Sequence, residues 1–114
     1  MTMDYESAKK KALAFRNERD WSQFHNPKDL AISLSLEASE LLECFQWSGT
    51  DLDVSKKRPQ MEEELADVVI YAILLADRIG ADIPEIVGKK IDKNAKKYPV
   101  DKARGCSAKY TELR

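Results

Sequence analysis

The chain has 114 residues, with 19 lysines and arginines against 20 acidic residues and a formal net charge of -1. This length suits one domain with a single core, so we expect residues 1–114 to form one domain. The near balance of charge gives no reason to expect nucleic acid or a membrane surface as a partner. One histidine and two cysteines, without a CxxC pair, do not supply an ordinary zinc site.

The charge pattern at the start of the chain and the apolar run over residues 65–76 bear on where the protein lies in the cell. Residues 1–20 are strongly charged, so no secretory signal is expected there. The apolar run from Leu65 to Ala76 is too short to span a bilayer, and it contains Asp67. We therefore expect a cytoplasmic protein whose cysteines are reduced thiols.

Helical periodicity marks the first half of the chain. A first helix is expected from Asp4 to about Arg19, because apolar residues recur on one side with lysines on the other. The connection that follows carries two aromatic residues, which must pack somewhere. Asn26 can cap a second helix, and Pro27 suits its first turn. That helix is expected to reach about Trp47 and to stop before Gly49.

The second half of the chain predicts two more helices after a loop over Ser48–Lys57. The third helix is expected over Gln60–Ile79, ended by a glycine, and its middle is apolar almost all round. The fourth is expected from its capping residue, Asp82, to Tyr98. Residues 99–114 form a basic tail whose apolar residues show no helical periodicity, and disorder is the default expectation for it. The predicted fold is all-α, a four- to five-helix bundle.

Two acidic pairs interrupt apolar helical sequence. Glu37 with Glu40, and Glu64 with Asp67, have the i, i+3 spacing that places both side chains on one side of a helix. With Leu30 at zero on a helical wheel, Glu37 falls at about minus 20°, inside the apolar stripe. Burying unpaired carboxylates is costly unless their pKa shifts or a cation binds. An all-oxygen site suits a hard divalent ion, so the two pairs predict a metal site.

Other classes of protein explain less of this pattern. A run of lysines over residues 89–97 suits the polyphosphate of a metal-bound substrate, although a solvated helix face is the simpler interpretation. A di-iron carboxylate bundle needs two Glu-x-x-His motifs, and His25 is the only histidine. A non-catalytic helical interaction module would explain the amphipathic helices and the charge balance. It would not explain Glu37 within an apolar stripe.

The acidic pairs and their surroundings resemble the all-α nucleotide pyrophosphohydrolases of the MazG-like type. In that family ExxE is followed, after a loop, by ExxD; the matching residues here are Glu37, Glu40, Glu64 and Asp67. Residues 18–25, 45–47, 69–71, 93–99, 104–105 and 109–113 are also similar, closest to the dCTP pyrophosphatase branch. The resemblance covers nearly the whole chain. One departure is Ser39, where glycine is common in the family.

The resemblance implies hydrolysis of a nucleoside triphosphate to the monophosphate and pyrophosphate. The expected substrate is dCTP or a modified dCTP, in cleaning of the nucleotide pool. The alternative is a dUTP-directed or broad-specificity house-cleaning enzyme. Mg2+, or Mn2+ as a substitute, would be bound by the four acids. Similar enzymes are homo-oligomers, and a tetramer is expected here rather than a dimer.

The resemblance also implies roles for individual residues. The nucleoside-contacting set would be Trp21, His25, Trp47, Tyr71 and Asn94. Triphosphate contacts would come from Lys90, Lys93 and Lys97, with Arg104 and Lys109 as weaker candidates. One carboxylate must orient or deprotonate the attacking water, and Glu37 or Glu40 is expected to do so. Without the resemblance, both tryptophans would be assigned to the core, and His25 could bond either the backbone or a ligand.

Overall fold

The computed structural model describes residues 2–113, and every regular element within that range is helical. The α-helices are α1 (Tyr5–Glu18), α2 (Pro27–Glu43), α3 (Arg58–Ile79), α4 (Ile83–Lys97) and the short α5 (Val100–Ala103). Single 3-10 turns cover Trp21–Phe24, Ser55–Lys57 and Tyr110–Glu112. The prediction of an all-α fold with four to five helices is confirmed. No helix over residues 2–113 has both the length and the apolar character needed to cross a membrane.

Local capping signals explain where the helices begin and end. The Asn26 side chain accepts a 2.8 Å hydrogen bond from the Asp29 N–H at the start of α2. The Asp82 carboxylate accepts one of 3.1 Å from the Glu85 N–H at the start of α4. Gly80 ends α3 with a φ of 73°, a left-handed conformation that costs glycine little. These three boundaries were predicted from sequence.

The end of α2 differs from the prediction. The helix ends at Glu43, four residues before Trp47. The N–H groups of residues 44–46 each bond to the carbonyl three residues back rather than four, which tightens the chain into turns. Trp47 then adopts a φ of 64° and ends the segment. The predicted helix to Trp47 was therefore wrong in its last turn.

The tail also differs from the default expectation of disorder. It contains α5 and the 3-10 turn at Tyr110. The ring of Tyr110 makes an edge-on contact with Tyr98, with 6.0 Å between centroids. The ammonium of Lys97 lies 4.7 Å from the centroid of the same ring. These contacts attach the tail to the end of α4.

The chain divides into two compact units, one up to Gly80 and the other from Ala81 onward. In the first unit α2 packs along α3, and α1 also contacts α3. Among residues 2–113, the buried apolar residues all belong to this unit and are Leu30, Cys44, Val54, Ile73, Leu74 and Ala76. The pairing of α2 with α3 brings the two acidic segments together. The assignment of residues 1–114 to one domain stays a prediction.

Helix α3 is buried on one side only. Ile73 and Leu74 are almost inaccessible, whereas Leu65 is 53% exposed and Ile79 is 58% exposed. Some apolar side chains of α3 therefore lie outside the side of the helix that the first unit buries.

Candidate functional site

Three acidic side chains meet where α2 packs on α3. Glu37 and Glu40 come from α2 and Glu64 from α3, and one carboxylate oxygen of each lies within 4.8 Å of the other two. Glu37 and Glu64 are half-buried, and Glu40 is exposed. The structure thus brings together three of the four predicted metal ligands.

Asp67, the fourth predicted ligand, lies outside this cluster of Glu37, Glu40 and Glu64. It follows Glu64 by one turn of α3 and lines a neighbouring cavity. It remains close enough for its negative charge to raise the pKa of both Glu37 and Glu64. Asp67 is therefore electrostatically part of the site.

The electrostatics of the cluster are unfavourable for three charged carboxylates. A hydrogen bond with Glu40, together with burial and the charges of nearby acids, raises the pKa of Glu37 to about 7. Glu64 also has a hydrogen bond with Glu40, and this bond, followed by burial, raises the pKa of Glu64. No ion pair found over residues 2–113 involves these three acids. Without a bound cation, the raised pKa values favour retention of a proton in the cluster, because no cationic side chain offsets the repulsion.

The donor atoms of the cluster fit a divalent cation. The Oε2 atoms of Glu37 and Glu64 are buried, and neither has a hydrogen-bond partner in the described part of the chain. Buried polar atoms without partners are uncommon and call for an explanation. Carboxylate oxygens are the ligands that Mg2+, Mn2+ and Ca2+ prefer, and a cation would satisfy both atoms.

A cavity of about 430 Å3 lies beside the acids, between α1, the Trp21–Phe24 turn and α3. It is lined by Met3, Ala8, Lys11, Ala12, Phe15, Arg16, Trp21, His25, Asp67, Ile70, Tyr71 and Leu74. Trp21 and Phe15 form an aromatic corner, with their rings edge-on and 5.6 Å between centroids. The volume is in the range of small-molecule sites. Three of the predicted nucleoside contacts, Trp21, His25 and Tyr71, therefore line one cavity together with Asp67.

His25 has a ring nitrogen available to a ligand. Its Nδ1 atom is buried without a hydrogen-bond partner within residues 2–113. Burial, and then the positive charge of Arg16, lower the pKa of the imidazole below its usual value and so favour the neutral ring. A neutral imidazole has one donor and one acceptor nitrogen, so His25 can pair with a polar group in the cavity.

Helix α1 contributes residues that the sequence analysis did not assign to the site. Phe15, Arg16 and Lys11 line the cavity, although no residue of the predicted first helix was assigned to the site. Phe15 belongs to the apolar stripe of α1, and that stripe was the available signal for it. Arg16 gave no signal, because a single arginine in a lysine-rich helix has no distinguishing pattern. Its importance follows from its 2.8 Å ion pair with Asp77 of α3.

Trp47 is not part of this cavity. It follows the end of α2, is 92% exposed and has a left-handed backbone. That conformation costs a non-glycine residue about 1–2 kcal/mol. A second, open cavity of about 490 Å3 lies nearby and is lined by Ser39, Leu42, Glu43, Phe45 and Gln46. Within one chain, Trp47 is therefore not brought together with Trp21.

The serine that replaces the family's common glycine is accommodated within α2. The hydroxyl of Ser39 donates a 3.1 Å hydrogen bond to the Ser35 carbonyl, four residues back in the same helix. Such a bond is a common arrangement for serine inside a helix. The side chain thus lies along the helix.

The remaining predicted contacts belong to the second unit. Lys90, Lys93, Asn94 and Lys97 have i, i+3, i+4 and i+7 spacing, so they share one face of α4. The first three are exposed, and Lys97 is half-buried beside Tyr110. Arg104 and Lys109 are exposed residues of the tail. This arrangement makes a basic face with one amide among its lysines.

Comparison with known proteins identifies relatives of the chain. The dCTP pyrophosphatase 1 proteins of Mus musculus and Homo sapiens are each 44% identical to it, over 87% of this chain and 61% of theirs. The chain thus spans about 61% of the length of these mammalian relatives. The crystal structure of a pyrophosphatase from Archaeoglobus fulgidus superimposes with a TM-score of 0.77 at 40% identity, covering 87% of this chain and 95% of that one.

The family assignment follows from these matches and confirms the resemblance inferred from the acidic pairs. Residues 32–113, which include all four acids, match the MazG-like family. The chain belongs to the MazG-like family.

Proposed function

We propose that the chain is a metal-dependent nucleoside triphosphate pyrophosphohydrolase, which converts a (d)NTP and water into the (d)NMP and pyrophosphate. The observation that carries this proposal is the cluster of Glu37, Glu40 and Glu64 within 4.8 Å, beside an aromatic cavity. The likeness to proteins named as dCTP pyrophosphatase and pyrophosphatase supports the choice of reaction.

We assign the metal site to Glu37, Glu40, Glu64 and Asp67, with Mg2+ as the cation and Mn2+ as a substitute. When bound, the cation supplies positive charge to the phosphate oxygens and to the leaving pyrophosphate. Glu37 or Glu40 accepts a proton from the attacking water.

The cavity beside Asp67 is the proposed nucleoside site. The flat rings of Trp21 and Tyr71 suit a nucleobase, and the neutral His25 can hydrogen-bond its edge. The proposed substrate is dCTP or a modified dCTP, in cleaning of the cytoplasmic nucleotide pool. Asn94 is assigned to the nucleoside as well, and Lys90, Lys93 and Lys97 to the triphosphate; Arg104 and Lys109 are weaker candidates.

A homo-oligomer, with a tetramer preferred over a dimer, is part of the proposal. The first unit exposes large apolar side chains, including Leu36, Leu42, Trp47 and Leu52, at 60%, 70%, 92% and 79%. Burial of these side chains between subunits would favour association. Light scattering on the protein as it elutes from a size-exclusion column measures the mass of the assembly and decides between monomer, dimer and tetramer.

A panel of dCTP, 5-methyl-dCTP, dUTP, dTTP and dATP tests the reaction and the substrate together. Products are separated by anion-exchange chromatography with Mg2+ and with chelator. We expect monophosphate and pyrophosphate, with the highest kcat/KM for a cytosine nucleotide. Highest activity on dUTP, or similar activity on all five, would favour the alternative specificities. Absence of pyrophosphate with every nucleotide would favour a non-catalytic interaction module.

A further inference from the structure

The proposed nucleoside cavity has a fixed cationic side chain in its wall. Arg16 is only 11% exposed, and its Nη1 donates a 2.8 Å hydrogen bond to Oδ2 of Asp77 on α3. Its Nε donates a 3.0 Å bond to Oδ1 of the neighbouring Asn17. These two contacts limit the rotation of the guanidinium while Arg16 still lines the cavity. The side chain is therefore positioned before any ligand binds.

Arg16 of α1 lies beside Asp77 of α3, a position that suits contact with the base of a nucleotide. Asp67, beside the acidic cluster, and Asp77, the partner of Arg16, are separated by about 15 Å at a rise of about 1.5 Å per residue. Tyr71 and Leu74, which also line the cavity, lie between them on the same helix. A nucleotide whose phosphates lie at the Asp67 end would place its sugar and then its base toward Arg16.

Arg16 retains hydrogen-bond donors that the protein does not use. Across residues 2–113, acceptors are found for its Nε and one Nη1 donor, and none for Nη2. A guanidinium can only donate, and its planar fork pairs best with two adjacent acceptors. Cytosine has two adjacent acceptors, O2 and N3. Uracil and thymine have a donor, N3–H, at the second position.

We infer that Arg16, oriented by Asp77, is a specificity-determining residue that donates to O2 and N3 of a cytosine base. This inference rests on the proposed function for its assumption that a nucleotide occupies the cavity. His25 complements the pattern, because its buried Nδ1 lacks a partner and can accept from the exocyclic amino group of cytosine. A uracil base would place N3–H against the guanidinium and a carbonyl where cytosine has its amino group. Bound uracil would leave its N3–H and a guanidinium donor of Arg16 facing each other without acceptors, and this cost makes the cavity prefer cytosine over uracil.

The direct test is the relative affinity for dCMP and dUMP, measured by calorimetry on the full chain without metal. Arg16→Lys is the main variant, because lysine keeps the charge pair with Asp77 but lacks the planar fork. We expect the parent to bind dCMP about tenfold more tightly than dUMP, equivalent to about 1.4 kcal/mol. Arg16→Lys is expected to remove most of that preference. Asp77→Asn, which releases the guanidinium, is expected to reduce it as well.

Arg58→Lys is the matched control, because Arg58 is an exposed residue paired with Glu62 at 3.0 Å and does not line the cavity. It should leave the dCMP preference unchanged. An unchanged preference in folded Arg16→Lys, or no preference in the parent, would overturn the role of Arg16. Pyrophosphate release from dCTP is followed separately. If it is absent while the preference for dCMP depends on Arg16, the proposed reaction fails and the base-recognition role stands.

Discussion

Glu37 of α2 and Glu64 of α3 have carboxylate oxygens within 4.8 Å of each other, and each buries its Oε2 atom without a hydrogen-bond partner in the described chain. Two like-charged groups in this arrangement repel unless one retains a proton or a cation lies between them. The metal-free site therefore reduces the stability of the folded protein at neutral pH.

The stability of the metal-free protein should fall as pH rises. The folded-state pKa of Glu37 is about 7, above its ordinary value of 4.5, so the folded state binds this proton more tightly than the unfolded chain does. Its stabilising contribution is complete below about pH 4.5 and is lost as pH rises through about 7. Thermal unfolding in chelator from pH 5 to pH 8 should show a decreasing Tm.

Glu37→Gln tests the assignment of this pH dependence. The neutral side chain should flatten the decline and raise Tm at pH 8, by roughly 4 °C for each 1 kcal/mol of repulsion removed. Glu18→Gln, at an exposed acid of α1, is the matched control and should leave the pH profile unchanged. If Glu37→Gln shows the same slope as the parent, Glu37 does not retain a proton in the folded state.

Removal of the Asp67 charge should separate metal binding from folding. Asp67→Asn is nearly isosteric and removes a charge that raises the pKa of both Glu37 and Glu64. We expect it to abolish turnover and to leave the chelated protein at least as stable as the parent. Melting in chelator and in Mg2+, for parent and variant, is the measurement.

The effect of Mg2+ on Tm completes this test. The cation should raise the Tm of the parent by mass action on the folded state, because at a concentration a hundred times Kd it adds about 2.7 kcal/mol to the free energy of unfolding. The gain should be much smaller for Asp67→Asn. Strong destabilisation of the chelated variant would instead make Asp67 a structural acid with a fixed partner.

The two tryptophans should respond differently to truncation. Trp21→Ala removes a cavity wall, so nucleotide affinity should fall about tenfold or more for a stacking loss of about 1.4 kcal/mol. Trp47→Ala should also weaken binding but should leave Tm almost unchanged, because its side chain is 92% exposed. Calorimetry and thermal melts on both variants provide the comparison. Unchanged affinity in both would return Trp21 to the role of a packing aromatic and exclude Trp47 from the substrate site.

Much of the acidic site could be predicted because it depends on local periodicity. The i, i+3 spacing of Glu37 with Glu40 requires only that α2 be helical, and its capping residue marks where that helix starts. Glu64 could be included because its helix is also regular. The exclusion of Asp67 from the three-acid cluster could not be predicted, since it depends on how α2 crosses α3. Periodicity contains no information on that crossing.

Features that depend on distant contacts were missed. Arg16 becomes a fixed cavity residue only through Asp77, 61 positions away along the chain. Trp47 is exposed beyond the tight turns at residues 44–46, which depart from the regular 100° step assumed on a helical wheel. The tail is attached to α4 by the ring of Tyr110, and no periodic pattern indicates such a single contact.

The most direct test of the central claim is hydrolysis of dCTP in 18O-labelled water, with Mg2+ and with chelator, followed by mass spectrometry of the products. Attack of water on the α-phosphorus predicts one labelled oxygen in dCMP, unlabelled pyrophosphate, and no products in chelator. Glu37→Gln should lower the rate of both products equally. Label in orthophosphate with dCDP as the second product, or label in pyrophosphate, would contradict the account.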